Sequence, residues 1–79
     1  MESRLRELLK RWEEEDREAR EIRRRYADWE FIEKQPEPLK SALKYFVEHG
    51  NLRMAAKLAG LSIDEFNDLR IKAKIPIVV

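Results

Sequence analysis

Side chains that commonly carry catalysis are scarce in this sequence of 79 residues. Cys is absent, which removes thiolate nucleophiles, disulfides, and iron–sulfur or Cys-rich zinc sites. The single His, His49, precedes Gly50 at the expected end of a helix, where capping is favoured over catalysis. Ser3, Ser41 and Ser62 lack a neighbouring motif that supplies a general base. These features predict a protein that is not an enzyme.

Carboxylates cluster at residues 13–16, where Glu, Glu, Glu and Asp follow one another. Consecutive side chains fan around a helix axis, so this run is expected to form a solvated face rather than a metal site. Its spacing matches no calcium-binding loop, and the sequence has no Gly-rich phosphate loop. We therefore expect neither a metal ion nor a cofactor.

Charged residues are abundant but balanced in sign. Lys and Arg number 17 and Asp and Glu 16, so the formal net charge is +1 although 42% of the residues are charged. This balance excludes a uniformly basic nucleic-acid coat and an acidic tail. No apolar run approaches the roughly 20 residues that a membrane span needs, and the first residues contain no apolar signal core. The sequence predicts a cytoplasmic protein without a membrane partner.

The chain divides into three parts. Residues 1–34 contain no Gly or Pro and consist mostly of strong helix formers. One long charged helix is expected there, as an arm for oligomerisation or partner binding. Residues 35–38 read Gln-Pro-Glu-Pro, and prolines at this spacing break a helix. Residues 39–79 hold all the glycines and are expected to form a compact domain that ends in a short extended apolar tail.

The arm has apolar positions at alternating spacings of three and four, which is the heptad pattern of a coiled coil. Its a and d positions, here called the heptad stripe, are Leu5, Leu8, Trp12, Glu15, Ala19, Ile22, Tyr26 and Trp29. In a parallel dimer, the flanking charges form three attractive pairs: Arg11 with Asp16, Glu18 with Arg23, and Arg25 with Glu30. The stripe therefore predicts a homodimer or a higher oligomer. Antiparallel pairing, a groove on another protein and packing within the chain are alternative uses of the same stripe.

Helix-ending and helix-starting residues divide the compact domain into three short helices. Gly50 is expected to end the first helix and Asn51 to cap the second. Gly60 ends the second, and Ser62 with Glu65 forms a capping box at the start of the third. The apolar side of the third helix is formed by Ile63, Phe66, Leu69 and Ile71.

The last two of these helices have the spacing of a helix-turn-helix motif. Counted from Leu52, the small residue Ala56 falls where the two helices cross, and Gly60 falls in the turn. Apolar residues follow at the positions that lock such helices together, namely Leu61, Phe66 and Leu69. Structural two-helix hairpins have the same requirements, so the spacing predicts the motif more strongly than its use. The predicted fold is all-α: a long N-terminal amphipathic or coiled-coil helix, a three-helix unit containing the helix-turn-helix, and an extended tail.

Residues 52–62, which read Leu-Arg-Met-Ala-Ala-Lys-Leu-Ala-Gly-Leu-Ser, are followed by Phe66 and by Ile-Pro-Ile at 75–77. This pattern resembles the C-terminal half of a family of short prokaryotic helix-turn-helix proteins. Many of those are antitoxins of toxin–antitoxin modules, often beside PIN-domain ribonucleases of the VapBC type. The resemblance extends over about residues 39–79 and does not include the arm. It implies a transcription regulator that binds double-stranded DNA and a toxin protein.

In a helix-turn-helix that reads DNA, the second helix enters the major groove, where its early exposed residues reach base edges. Asn67 is suited to reading adenine, whereas Asp64 and Asp68 would repel the phosphates that line the groove. The candidate DNA-binding residues are Arg53, Lys57, Ser62, Asn67, Arg70, Lys72 and Lys74. The leading hypothesis is a small antitoxin-type regulatory protein that binds DNA through this motif and a partner through the long helix. The alternative is a protein–protein interaction or oligomerisation module whose helix-turn-helix does not read DNA.

Overall fold

Helices make up all the regular secondary structure in the described part of the chain. The computed structural model describes the backbone of residues 2–78 and the side chains of residues 6–11 and 14–78. In chain order the helices are α1 (Glu2–Tyr26), α2 (Trp29–Lys34), α3 (Leu39–His49), α4 (Leu52–Ala59) and α5 (Ile63–Lys72). The predicted all-α fold class is thereby confirmed. None of the described helices is both long enough and apolar enough to cross a bilayer.

The expectation of one helix over residues 1–34 is wrong, because the chain leaves helical geometry between α1 and α2. Asp28 has extended backbone angles, and its carboxylate accepts a hydrogen bond of 3.1 Å from the N–H of Phe31 in α2. Its own N–H donates to the carbonyl of Ala73, 2.7 Å away at the end of α5. Asp is a strong N-cap and a weak helix former. The cap and the tertiary bond together outweigh the helix propensity of the surrounding residues.

The core forms around α3, which packs against α1, α2 and α4. The α3 side chains Ala42, Leu43, Phe46 and Val47 are buried. α5 packs on α4 and contributes Phe66, whose ring meets the Phe46 ring edge-on at a centroid distance of 5.9 Å. Only small side chains of α4 are buried between these neighbours, namely Ala55, Ala56 and Ala59. Small residues here let the three helices approach closely, as the spacing of the motif predicts.

Local residue chemistry sets the helix boundaries from the end of α3 to the start of α5. Gly50 and Gly60 take left-handed backbone angles, with φ of 66° and 71°. The Asn51 side chain accepts a hydrogen bond of 3.0 Å from the backbone of α4. Ser62 and Glu65 form both hydrogen bonds of a capping box, each 3.1 Å long. These caps and turns are the ones that the residue types predict.

The segment after α5 is held against the helix that precedes it. Ile75 is 1% exposed, and its N–H donates to the Arg70 carbonyl at 3.2 Å. The Ile75 carbonyl in turn accepts a hydrogen bond of 2.7 Å from Nη1 of Arg70. Ile71, expected on the apolar side of α5, is instead 57% exposed. Ala73 and Ile75 are buried in its place because the chain turns back at the end of α5.

Candidate functional site

α1 presents two neighbouring faces with different surroundings. One face contains Arg20, Arg23 and Ala27, and it packs against α3. The heptad stripe lies one residue earlier at each of these levels, at positions 19, 22 and 26. Each residue turns a helix by about 100°, so the two faces lie about a quarter of a turn apart. The face with Arg20, Arg23 and Ala27 therefore makes the contact with α3, and the stripe lies beside that contact.

Arg23 lies at the centre of the packed face and is only 4% exposed. Its Nε donates to the Val47 carbonyl at 2.8 Å, and its Nη2 donates to the Glu48 carbonyl at 3.4 Å. Carbonyls in the last turn of a helix have no partner within the helix and carry the negative end of its dipole. Burial lowers the pKa of Arg23, and the nearby charge of Asp16 opposes that shift. Arg23 thus caps the C-terminus of α3.

Two more arginines of α1 extend this contact over the end of α3. Nε of Arg20 donates to the Glu48 carbonyl at 3.0 Å, and Nε of Arg24 donates to the Glu48 carboxylate at 2.9 Å. The hydrogen bond from Arg24 lowers the pKa of Glu48. Sequence reasoning missed this cluster, because arginines beside a heptad stripe are normally solvated. The available signal was the spacing of Arg20, Arg23, Arg24 and Ala27, which places all four residues on one helical face.

The heptad stripe is exposed over most of its described length. Leu8 is 44% exposed, Ile22 37% and Tyr26 62%. Glu15 is also exposed, and Ala19 is half-buried. Apolar side chains of this size normally face a partner when they recur along one side of a helix. The described part of the stripe is therefore left largely uncovered by the packing of α1 on α3.

The stripe differs from the expected heptad pattern near its C-terminal end. Trp29 belongs to α2 rather than to a continuous α1, and it is 39% exposed. Its indole Nε1 donates to the Arg24 carbonyl at 2.8 Å, so the ring folds back onto the end of α1. The side chains of Leu5 and Trp12 lie outside the described residues.

Two of the three charge pairs expected in a parallel dimer are not placed to form in this structure. Arg23 is buried against α3 and does not face Glu18 of a second copy. Glu30 lies on α2, beyond the break that ends α1, so heptad geometry no longer places it opposite Arg25. Only Arg11 and Asp16 keep the expected arrangement, as exposed residues on the continuous part of α1. The flanking charges therefore favour a parallel dimer less than the sequence indicates.

Asn67, the candidate for reading adenine, is bonded within its own helix. Its Oδ1 accepts hydrogen bonds from Nε and Nη2 of Arg70 at 3.0 Å and 2.8 Å. Since Asn reads adenine with both its amide oxygen and its amide nitrogen, the bond to Arg70 competes with that use. Arg70 also donates to the Ile75 carbonyl, and burial lowers its pKa. Arg70 thus connects α5 to the tail, and Asn67 is bonded to Arg70.

The remaining candidate DNA-binding residues have two kinds of surroundings. Ser62 is occupied as the N-cap of α5. The other four have exposed side chains: Arg53, Lys57, Lys72 and Lys74. Asp64 and Asp68 are exposed on α5 as well, so the outer side of this helix carries acidic charge beside the basic residues. The outer surface of α4 and α5 is therefore mixed in charge rather than basic.

Comparison with protein-family models, curated proteins and solved structures gives no match for this chain. Among the residues that the structure describes, no three His, Asp or Glu side chains come together as a metal site would require. The candidate sites are thus the exposed heptad stripe of α1 and the outer surface of α4 and α5.

Proposed function

We propose that this protein is a small antitoxin-type regulatory protein, which dimerises through the heptad stripe of α1 and binds DNA through α4 and α5. The observation that carries the proposal is an exposed apolar stripe beside a face already packed on α3. Leu8, Ile22 and Tyr26 align along one side of α1, and aligned apolar side chains of this kind mark interaction sites. A second copy offers the same stripe, so pairing removes both from water.

Dimerisation is tested by combining Leu8→Asp with Ile22→Asp, which places charge on the stripe and leaves the α3 contact intact. Light scattering should give twice the chain mass of 9.5 kDa for the wild-type protein and a single chain mass for the variant. Met54→Asp with Leu58→Asp is the matched control on α4, because these residues are 42% and 47% exposed. The control should remain dimeric, with helix content checked by circular dichroism. A wild-type monomer, or an unchanged mass in the stripe variant, contradicts the proposal.

The proposed DNA contact places α5 in the major groove, with phosphates held by exposed lysines and arginines. Lys57→Glu combined with Lys72→Glu should weaken binding to the promoter of the protein's own gene. Removing two phosphate contacts should also lower the slope of log affinity against log salt by about two. Lys10→Glu with Lys34→Glu makes the same charge change on α1 and α2 and should alter affinity less. If both pairs of substitutions act equally, only overall charge matters, and the α5 contact is wrong.

The second candidate function is a protein-interaction module whose helix-turn-helix does not read DNA. It is favoured by Asn67, which is bonded to Arg70, and by the exposed acidic residues Asp64 and Asp68. This candidate predicts no specific binding to the promoter fragment at low salt. It also predicts that Lys57→Glu with Lys72→Glu leaves the oligomeric mass and any protein partner unchanged.

The antitoxin assignment rests on the resemblance of residues 39–79, which implies a toxin as second partner. We propose that the toxin is held by α1 or by the apolar residues of the tail. A gene for a PIN-domain or nucleotidyltransferase-like protein in the same operon would agree with this assignment. Purification of the two products together, abolished by substitutions in α1 or the tail, is the direct test.

A further inference from the structure

The break between α1 and α2 is short and depends on one residue. Asp28 has extended backbone angles, its carboxylate caps α2, and its N–H donates to the carbonyl of Ala73 at 2.7 Å. Ala27, just before it, still donates its N–H to the Arg23 carbonyl at 3.0 Å, as a residue within a helix does. No Gly or Pro flanks the break on either side. Releasing Asp28 from its two partners would therefore let α1 and α2 join into one helix.

A continuous helix could not keep both of its buried side chains on one α3. Arg23 of α1 is 4% exposed and Ile32 of α2 is 0% exposed, and both helices pack against α3. From position 23 to position 32 a helix makes nine steps of about 100°, which places the two side chains on opposite sides. With Ile32 held on its own α3, Arg23 of a continuous helix faces away from it.

The contact between α1 and α3 does not require that both helices belong to the same chain. Among the described side chains of α1, those of residues 6–11 and 14–18 are all exposed. The bonds to α3 come from Arg20, Arg23 and Arg24 in the last two turns of α1. Their acceptors are the last carbonyls of α3 and one carboxylate, which an α1 from a second copy can reach equally well. The C-terminal end of α3 thus needs an α1 as its cap, from either copy.

The heptad stripe lies between the two buried sides of such a helix. Ile22 is about 100° from Arg23 in one direction and about 80° from Ile32 in the other. When two helices pair in parallel through the stripe, the two-fold axis runs between them and along them. This symmetry brings the Arg23 side of one helix and the Ile32 side of the other to the same side of the pair. The α3 that packs on Ile32 of one chain therefore lies beside Arg23 of the other.

We infer that the end of α3 binds α1 of a second copy, in a dimer in which residues 2–34 of each chain form one continuous helix. In this exchanged dimer, the three arginines of one copy cap α3 of the other. The inference rests on the proposed pairing of the stripes and adds to it which α3 each α1 binds.

The exchanged dimer keeps the contacts of the single chain and adds others. A continuous helix returns Trp29 to the stripe and places Glu30 opposite Arg25 of the second copy, as the heptad pattern predicts. The cost is confined to the bonds that Asp28 makes to Ala73 and to the start of α2. Because the remaining contacts are the same within a chain and between chains, the longer stripe has only this small cost to offset.

The test exchanges the charges of Arg24 and Glu48, whose side chains are hydrogen-bonded across the contact of α1 with α3. A ¹⁵N-labelled chain with Arg24→Glu and an unlabelled chain with Glu48→Arg are mixed in urea, refolded together and weighed by native mass spectrometry. In the exchanged arrangement only the mixed dimer has opposite charges at both contacts, so it should make up about four-fifths of the dimers or more. If α1 binds α3 of its own chain, every contact has like charges, and about half of the dimers are mixed.

Glu33→Lys and Lys44→Glu form the matched control, with the same changes of charge. This pair joins α2 to α3 at 2.9 Å and stays within one chain in either arrangement. Mixing these two variants should therefore give about half mixed dimers. An equal excess of mixed dimers in the control would mean that overall charge drives the pairing, and it would overturn the inference.

A second measurement uses the wild-type sequence, so it does not depend on how the variants fold. Chains labelled with ¹³C and ¹⁵N are refolded with unlabelled chains, and isotope-filtered NOE spectra should show contacts between the Ala27 methyl group of one chain and α3 of the other. A dimer that lacks these contacts, or that gives no excess of mixed dimers in the charge exchange, overturns the inference and leaves the pairing of the stripes intact. A wild-type monomer contradicts both.

Discussion

Gly50→Ala and Gly60→Ala form a matched pair that measures how strongly Arg23 connects α1 to α3. Both glycines follow a helix and have positive φ, 66° and 71°. An alanine at such angles costs about 1–2 kcal/mol, and it restricts the unfolded chain equally at both positions. The two sites differ in their surroundings. A Cβ at Gly60 meets nothing within 4 Å, whereas at Gly50 it meets Nη1 and Cζ of Arg23 at 2.8 Å and 3.0 Å.

The extra cost at Gly50 follows from what the guanidinium must give up. Moving it away lengthens the Nε bond to the Val47 carbonyl, which is 2.8 Å long and buried. A hydrogen bond from a charged donor contributes about 1.5–3 kcal/mol to stability. We therefore expect Gly60→Ala to cost about 1–2 kcal/mol and Gly50→Ala about 1.5–3 kcal/mol more.

The assay is urea unfolding of both variants. When the unfolding free energy depends on urea concentration with the same slope, a difference between the midpoints reports a difference in stability. A double-mutant cycle with Arg23→Met isolates the coupling: without the guanidinium, Gly50→Ala should cost no more than Gly60→Ala. Equal destabilisation by the two glycine substitutions in the wild-type background would refute the reasoning. So would an undiminished effect of Gly50→Ala when Arg23 is Met.

Two further predictions concern the end of α3 and the start of α2. Because the Arg24 hydrogen bond lowers the pKa of Glu48 in the folded protein, the stability it supplies is fully present above the unfolded pKa. That stability is lost as the pH falls through the folded value, so urea midpoints should decline below about pH 4.5, and Glu48→Gln should reduce the decline. An identical acid response in wild type and Glu48→Gln would argue against the contact. Asp28→Ala should cost about 1 kcal/mol through loss of the α2 cap, while Asp28→Asn should cost less, both by urea unfolding. Equal losses would mean that the cap does not fix this break.

The helix boundaries from the end of α3 to the start of α5 were predictable because the residues that set them act within one turn of the chain. Gly50 and Gly60 adopt the left-handed angles, and Ser62 with Glu65 closes the capping box. The break at Asp28 was not predictable from propensity, because Ala73, far along the chain, accepts its N–H. The same holds for Ile71: apolar spacing placed it inward, but the chain turns back after α5 and buries Ile75.

In the candidate sites too, features set by neighbours on one helix were predictable, and features set by contacts with distant residues were not. Heptad spacing identified the stripe from neighbours on one helix, and Leu8 and Ile22 lie on it as exposed side chains. Helical spacing places Asn67 and Arg70 within reach of each other, but it could not show that Arg70 would also donate to the carbonyl of Ile75 in the tail. Nor could it show the burial of Arg23, which needs the end of α3 as acceptor.

Arg23 also explains why the stripe is not covered by α3, because the stripe and the packed face differ by one residue step around α1. Three arginines and Ala27 hold one face of α1 against α3, which fixes the rotation of that helix about its axis. Because the stripe lies about 100° from this face, it cannot turn inward without breaking the bonds to the end of α3. Since those bonds fix the rotation, Arg23→Met should loosen α1 on α3 while leaving the side chains of the stripe unchanged. Backbone hydrogen exchange in α1 should be faster in Arg23→Met than in the wild type at equal oligomeric mass, and unchanged exchange would contradict the role of these bonds.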